Sequence, residues 1–359
     1  MVNKSIVKED LERIYESMSK RNLSFFEDSN ILVTGASGFI GYYILSFLSL
    51  YRKELRIGRI AALDNFMLGE PEWIKRIDKN DDRVSVFPFD IAHDRLDTIL
   101  GNEDYNVVIH MASIASPTYY RKFPLATIDA NVWGLRNLLD FFSSKEVKGF
   151  LNFSSSEVYG NPESRYVPIN EEYKGSVAFN GPRSCYDEAK RFGETLSYVY
   201  FREFGMNVTS VRPFNNYGPG MKMDDGRAPA DFAKAVLDGR PIEVFSDGSP
   251  TRTFSYISDA VTGYLKALSY GKFDYFNIGI DRPEVSIDEL AEIYADEGRE
   301  AVGYKGHVVH AHSTEREYLH DNPQRRCPDI KKARELLKFD PKIEVQEGVR
   351  RFLLFLKGE

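Results

Sequence analysis

The stretch Ile31-Leu32-Val33-Thr34-Gly35-Ala36-Ser37-Gly38-Phe39-Ile40-Gly41 decides how the rest of the chain is read. Ile31 to Val33 is a short apolar strand, and the nearly apolar run from Phe39 to Tyr51 reads as a helix. The glycines between them permit a tight turn and close backbone approach to a pyrophosphate, which the N–H groups at a helix N-terminus attract. Gly35, Ser37, Gly38, Phe39, Ile40 and Gly41 are therefore candidate cofactor-binding residues. A glycine turn with no ligand is the alternative.

Working outward, strands and helices alternate. Ile60 to Leu63 ends at Asp64-Asn65; Val84 to Phe87 leads to Asp90-Ile91; Val107 to Ile109 leads to His110-Met111-Ala112-Ser113. A helix follows from about Ile128 to Phe142, then a strand Phe150 to Phe153 that ends in Ser154-Ser155-Ser156-Glu157. A long helix from about Tyr186 to Phe204 precedes the strand Val208 to Arg212. This alternation predicts an α/β fold with a doubly wound parallel sheet, which holds ligands at the carboxyl ends of its strands. Asp64, Asn65, Asp90, Ile91, Met111, Ala112 and Ser113 fall at such ends. Asn131 on the middle helix and Pro213 after the last strand complete the candidate cofactor set. A carboxylate at Asp64 can accept from a ribose 2′-OH and would repel a 2′-phosphate, which favours NAD over NADP. A helix cap or a solvated aspartate is the plain alternative for Asp64.

After Pro213 the alternation loosens, Gly and Pro become frequent, and shorter helices and small strands are expected. We expect a smaller C-terminal α/β substrate domain over 213–252 and 281–359. The dinucleotide-binding part would cover 29–212 with about 253–280. Residues 1–28 form a leader in which Val7, Leu11, Ile14, Tyr15 and Met18 recur at helical spacing. That pattern predicts an amphipathic helix packed on the body or on another subunit. A membrane-surface helix is disfavoured because the polar face is not predominantly basic.

Composition narrows the function. The 359 residues carry a net charge of −7, which argues against a nucleic-acid partner, since that needs a broadly basic face. A phosphate-bearing small molecule remains allowed, because a few converging arginines suffice. Two cysteines make neither a disulfide framework nor a zinc site, so a reducing, cytoplasmic setting is expected. The Phe39 to Tyr51 run is too short to span a bilayer, and no membrane partner is expected. His307, His310 and His312 cluster, but no matching ligand set accompanies them, and no metal is expected.

Tyr186-x-x-x-Lys190 places both side chains on one helical face. An ammonium near a phenol favours phenolate, so Tyr186 is expected to act as a base well below its free pKa near 10. It could take a hydroxyl proton while hydride leaves for a nicotinamide.

Together the glycine triplet, Asp64, Ser154-Ser155-Ser156 and Tyr186-x-x-x-Lys190 resemble the extended short-chain dehydrogenase/reductases, in the branch that modifies nucleotide sugars. The resemblance spans about 30–350. Arg212 to Pro219, Asp225-Gly226-Arg227, Ser249 to Phe254 and Asn322 to Ile330 look like the branch's segments that hold a nucleoside diphosphate. It implies NAD as cofactor and a nucleotide-diphosphate sugar as substrate. Ser116, Tyr120, Arg183, Asn215, Arg227, Arg252 and Arg326 become candidate substrate-binding residues, and the arginines could concentrate positive charge for a diphosphate. Within the branch, Gly181 to Arg191 and Ser155-Ser156-Glu157-Val158-Tyr159-Gly160 look most like UDP-glucuronate decarboxylases, the UDP-xylose synthases. The branch commonly dimerises through helices such as that near Ile128 to Phe142 and that carrying Tyr198 to Phe201, which implies a homodimer; a core role is the alternative for the aromatic stretch.

Chemistry separates the members. All begin with Tyr186 removing the sugar C4-hydroxyl proton as hydride passes to NAD. A 4,6-dehydratase then needs a general acid, an Asp where this chain has Ser156, and serine is a poor proton donor. A 4-epimerase needs no acid–base pair, and Glu157 would be surplus. A uronate oxidised at C4 is a β-keto acid that loses CO2 readily, and Ser155, Ser156 and Glu157 fit that chemistry. Arg252 resembles the decarboxylase residue proposed as proton donor or carboxylate partner. A Glu close to a substrate carboxylate is awkward unless one is protonated or the carboxylate is held aside. Ser155 stands where those decarboxylases usually have Thr, and Ala115 to Tyr120, the leader and Gly298 to His320 match poorly. The expected activity is NAD-dependent decarboxylation of a UDP-uronate, with dehydration or epimerisation as alternatives and a non-catalytic NAD-binding module as a distant one.

Overall fold

Short aliphatic runs form the strands, and Gly35, Asp64, Ser154 and Gly279 stand where four of them end. A computed structural model describes residues 2–77, 81–101, 103–311 and 323–358; His312 and Asn322 lie outside these. The central strands are β1 (Ile31–Thr34), β2 (Ile60–Asp64), β3 (Val84–Pro88), β4 (Val107–His110), β5 (Gly149–Phe153), β6 (Val208–Pro213) and β7 (Asp274–Ile278). They form one parallel sheet in the order β7-β6-β5-β4-β1-β2-β3. This is the doubly wound order, extended by β7 at one edge.

β1, β4 and β5 are buried along their whole length, as strands covered on both faces must be. Alternation along β1 divides the core. Ile31 and Val33 join the layer of helices α1 (Val2–Ser17), α2 (Phe39–Leu50), α4 (Ile257–Leu268) and α5 (Val345–Lys357). Leu32 joins the opposite layer, with Leu138 and with Leu196 from α3 (Ser184–Phe204). The chain therefore leaves β1 and β4 towards opposite faces, which opens a crevice at their carboxyl ends.

Two expectations are adjusted. The helix foreseen from Ile128 begins at Pro124 and contains a widened turn over Asp129–Gly134 before Leu135–Phe142. Inside it the Asn131 amide donates to the Thr127 carbonyl at 2.7 Å, a side-chain bond that periodicity cannot foretell. Beyond Pro213 the helices are not all short. Ile287–Val302 runs 16 residues, started by a Ser286/Glu289 capping box and stopped at Gly303, whose φ is +78°. Three strand pieces, Thr251–Arg252, Val285–Ser286 and Arg325–Arg326, pair into a ribbon in which Arg326 stands opposite Arg252. Among the described residues no helix is long and apolar enough to cross a membrane.

The leader helix packs on the body. Ile6, Val7, Leu11 and Ile14 are buried against α4 and α5. Its anchor is Asp10, fully buried, which accepts from Tyr43 Oη of α2 at 2.7 Å, Tyr256 Oη at 2.8 Å and Arg351 Nη2 of α5 at 2.8 Å. Removing one partner of a buried ion pair strands the other. Asp10→Ala is expected to cost about 3–4 kcal/mol of unfolding free energy, read from the urea midpoint at unchanged m.

Candidate active site

The crevice is a cleft of about 500 Å³ bordered by the carboxyl ends of the strands and by segments after Pro213. Gly35, Ser37, Gly38, Phe39, Ile40 and Gly41 line it, as do Asp64, Asn65, Asp90, Ile91, Met111, Ala112, Ser113 and Pro213. So do Ser155, Ser156, Glu157, Tyr186 and Lys190, together with Ser116, Tyr120, Arg183, Asn215, Arg227 and Arg252. Two expected residues lie behind the wall. Asn131 spends its amide inside its own helix, and Arg326 is 1% exposed, turned to Ser156 O and Glu157. Arg326 therefore does not face the cleft as a diphosphate ligand would; it supports the wall that does.

The turn at Gly35 has φ +67°, and a Cβ there would sit 2.6 Å from the Ala112 nitrogen of β4's continuation, so only glycine lets the two strand ends close up. No side chain caps α2 at Gly38, which leaves its first N–H groups to a ligand. Asp64 Oδ2 accepts from Ser37 N at 2.9 Å and Oδ1 from Phe66 N at 2.8 Å, so the carboxylate also fixes the glycine turn to the end of β2. Asp90 accepts from Ala92 N at 2.9 Å; burial opposes its ionisation, but this bond and His93 hold its carboxyl below the ordinary value. The Ser113 hydroxyl is buried inside the cleft and has no hydrogen-bond partner among the described residues. An uncapped helix start, a ribose-ready carboxylate and an orphaned hydroxyl in one groove fit a dinucleotide.

Tyr186 stacks on Tyr120, rings 5.2 Å apart and 12° from parallel, and its phenol hydrogen-bonds Ser155. Lys190 Nζ donates to Phe153 O at 2.7 Å and lies 5.7 Å from the Tyr186 ring. The expected lysine-driven lowering of the phenol is absent from the chain alone. Burial pushes Tyr186 up to about 12, against the Ser155 bond, and Glu157 and Asp187 add to the rise. The same burial pushes the Lys190 ammonium down to about 7. Both groups share one dry pocket, and desolvation outweighs their mutual attraction.

Glu157 follows β5 on a short turn capped by the Ser155 hydroxyl. It bonds Arg183 and, at 2.9 Å, Arg326. Burial would raise its carboxyl, but Arg326, Arg183 and Arg252 outweigh that and hold it low. Arg252 donates to the Gln324 carbonyl at 3.2 Å and to that of Pro323. Burial above all, with the neighbouring Arg326 and Arg183, pushes its guanidinium down to about 10, and Glu157 and Glu284 oppose the fall. Ser116 Oγ donates to Asp225 O at 2.6 Å, and Asp225 pairs with Arg227 at 2.9 Å. Asn215, at φ +40°, ties its own loop to Thr253 O at 2.9 Å.

Sequence reasoning overlooked two supports. Glu194 Oε1 accepts from Arg212 Nε at 2.8 Å and from Ser154, bracing the serine turn from beneath. Its position four residues after Lys190 on the same helical face was the available signal. Asp187 is the other; it is 5% exposed beside Arg183, a burial that the residue string does not reveal.

Residues 31–279 match the model of the NAD dependent epimerase/dehydratase family. The chain belongs to that family. UDP-glucuronic acid decarboxylase 1 of Arabidopsis thaliana is 36% identical over 90% of this chain and 68% of its own length. UDP-glucuronic acid decarboxylase 6 of the same plant is 35% identical over 92% and 89%. Among solved structures, the UDP-glucuronic acid 4-epimerase of Bacillus cereus, in complex with UDP-glucuronic acid and NAD, is 26% identical. It aligns at a TM-score of 0.76 over 92% of this chain and 99% of its own. The family member described here is an enzyme, and its cofactor is NAD. Asp64→Ala is expected to weaken NAD binding about tenfold, near 1.4 kcal/mol, and to narrow the preference over NADP, read by titration calorimetry.

Proposed function

We propose that this NAD-dependent, nucleotide-sugar-modifying enzyme decarboxylates a UDP-uronate, with UDP-glucuronate as substrate and UDP-xylose as product. The observation that carries the reading is the buried arginine group of Arg183, Arg252 and Arg326 around Glu157, which lines the same cleft as Tyr186 and Ser155. Arg183 and Arg326 pair with Glu157 and Arg252 adds a third positive charge within its reach, which suits a substrate that brings its own carboxylate to the sugar end of the cleft. Arg227, which also lines the cleft, suits the diphosphate. The relatives named as UDP-glucuronic acid decarboxylases support the same substrate.

NAD, when bound, supplies the hydride acceptor at C4 and the donor that returns it. Tyr186 holds the C4-hydroxyl proton as the alcohol becomes a ketone, and the Ser155 hydroxyl steadies the phenolate. The C5–C6 bond then breaks, CO2 leaves, and the bond's electron pair enters the C4 enolate; C5 takes up a proton from water as the ketone re-forms. No leaving-group acid is required, and Ser156 offers none. Tyr186 finally returns its proton to the C4 oxygen.

We further propose that the enzyme is a homodimer. Leu125, Trp133, Phe192 and Val199 are exposed apolar side chains on the adjoining helical segments that carry the widened turn and α3. Trp133→Glu is expected to halve the mass seen by light scattering; a wild-type monomer would overturn the assignment.

Incubation of the enzyme with UDP-glucuronate and NAD is expected to release one CO2 per sugar, seen by mass spectrometry. Retention of the carboxylate with inversion at C4 would make the enzyme an epimerase instead. Tyr186→Phe is expected to lower kcat about a thousandfold while UDP-glucuronate still binds.

A further inference from the structure

Asp187 lies in the first turn of α3, one residue after the catalytic tyrosine, and has no part in the chemistry above. Its side chain is buried, and Oδ1 has no hydrogen-bond partner among the described residues. Oδ2 has one long contact, to Arg183 Nε at 3.5 Å. Arg183 gives its short contact to Glu157 instead, through Nη2. One guanidinium thus serves a buried and a partly buried carboxyl unequally.

The groups around Asp187 can be named from every side. Arg183, Cys185 and Tyr186 share its helix; Glu157 faces it from the turn after β5, Arg326 from the ribbon, and Tyr120 from the helix Pro117–Lys122. Two cations answer one competing anion, and that anion takes the better contacts of both. An ionised Asp187 would leave Oδ1 charged, dry and unbonded, whereas a protonated one would not. Burial and the charge on Glu157 push the Asp187 carboxyl up to about 7, despite Arg183 and Arg326.

We propose that Asp187 is a positioning residue that keeps a proton on the Glu157–Asp187 pair, and that this proton leaves the arginine group positive enough to seat the substrate's carboxylate. The inference rests on the uronate reading above. It eases the difficulty of a glutamate beside a substrate carboxylate, because Asp187 adds no second negative charge to that of Glu157. The sign follows directly. Below about pH 7 Asp187 is neutral and the cluster attracts an anion; above it Asp187 ionises and the attraction falls. Conversely, an anionic sugar favours the protonated form, so at alkaline pH its binding takes a proton from solution.

The test uses the NAD-loaded Tyr186→Phe enzyme, which binds without turning over, and calorimetry in buffers of different ionisation enthalpy. At pH 8, UDP-glucuronate is expected to take up about half a proton on binding, and UDP-glucose none. Its Kd is expected to rise about tenfold between pH 6 and 8.5, as one added charge several ångströms away requires. Adding Asp187→Asn, which copies the neutral carboxyl, is expected to abolish both the uptake and the pH dependence. Equal proton uptake for the two sugars, or uptake that survives Asp187→Asn, overturns the proposal. If the double variant does not fold, the two-sugar comparison in the single variant decides alone. CO2 release by the native enzyme separates the two readings. Release without uronate-specific uptake sinks only the role of Asp187. Uptake without release sinks only the decarboxylase assignment, and failure of UDP-glucuronate to bind sinks both.

Discussion

Burying the Glu157 carboxylate costs free energy that only close cations can offset, and the cations that do so come from distant parts of the chain. Arg183 stands at the entrance to the long helix; Arg252 and Arg326 are brought level by a ribbon of two-residue strands. Two arginines opposite one another on neighbouring strands would repel. Here Glu157 holds Arg326 and tempers the field at Arg252, so the ribbon's register and the turn after β5 depend on one another. The sheet supplies a rigid edge, the ribbon a second wall, and this ionic knot joins them at the depth where the sugar would lie.

The cofactor half is a different physical construction. It relies on backbone: a left-handed glycine, an uncapped helix start and a carboxylate that bonds two amides. Such parts act over a few residues, which is why they are legible in the sequence. Gly35 to Gly41, Asp64 and the Tyr186–Lys190 spacing each carry their meaning locally. The alternation of apolar runs with helical segments likewise forecasts the sheet, because parallel strands must be apolar on both faces.

What was not legible depends on desolvation and long-range assembly. The lysine was expected to ease the phenol, yet a shared dry pocket pushes Tyr186 up to about 12 and Lys190 down to about 7. Arg326 reads like a phosphate ligand in the sequence, but burial turns it into a partner for Glu157. Asp187 sits in a quoted motif and still gives no hint that it is short of partners. The widened turn at Asp129–Gly134 rests on one side-chain amide, which periodicity does not encode.

The first and last helices clasp one another, with Arg351 reaching both Glu9 and Asp10, and Arg13 reaching Glu347. Ends of a chain ordinarily fray first and exchange their amide protons fastest. Here the early helix lies in the same hydrogen-bonded knot as Tyr43, on the helix that follows the glycine turn. That knot therefore ties both helices to the helix that opens the dinucleotide groove. Amides of α1 around Asp10 should then exchange as slowly as those of the central strands, and occupancy of the groove should slow them further.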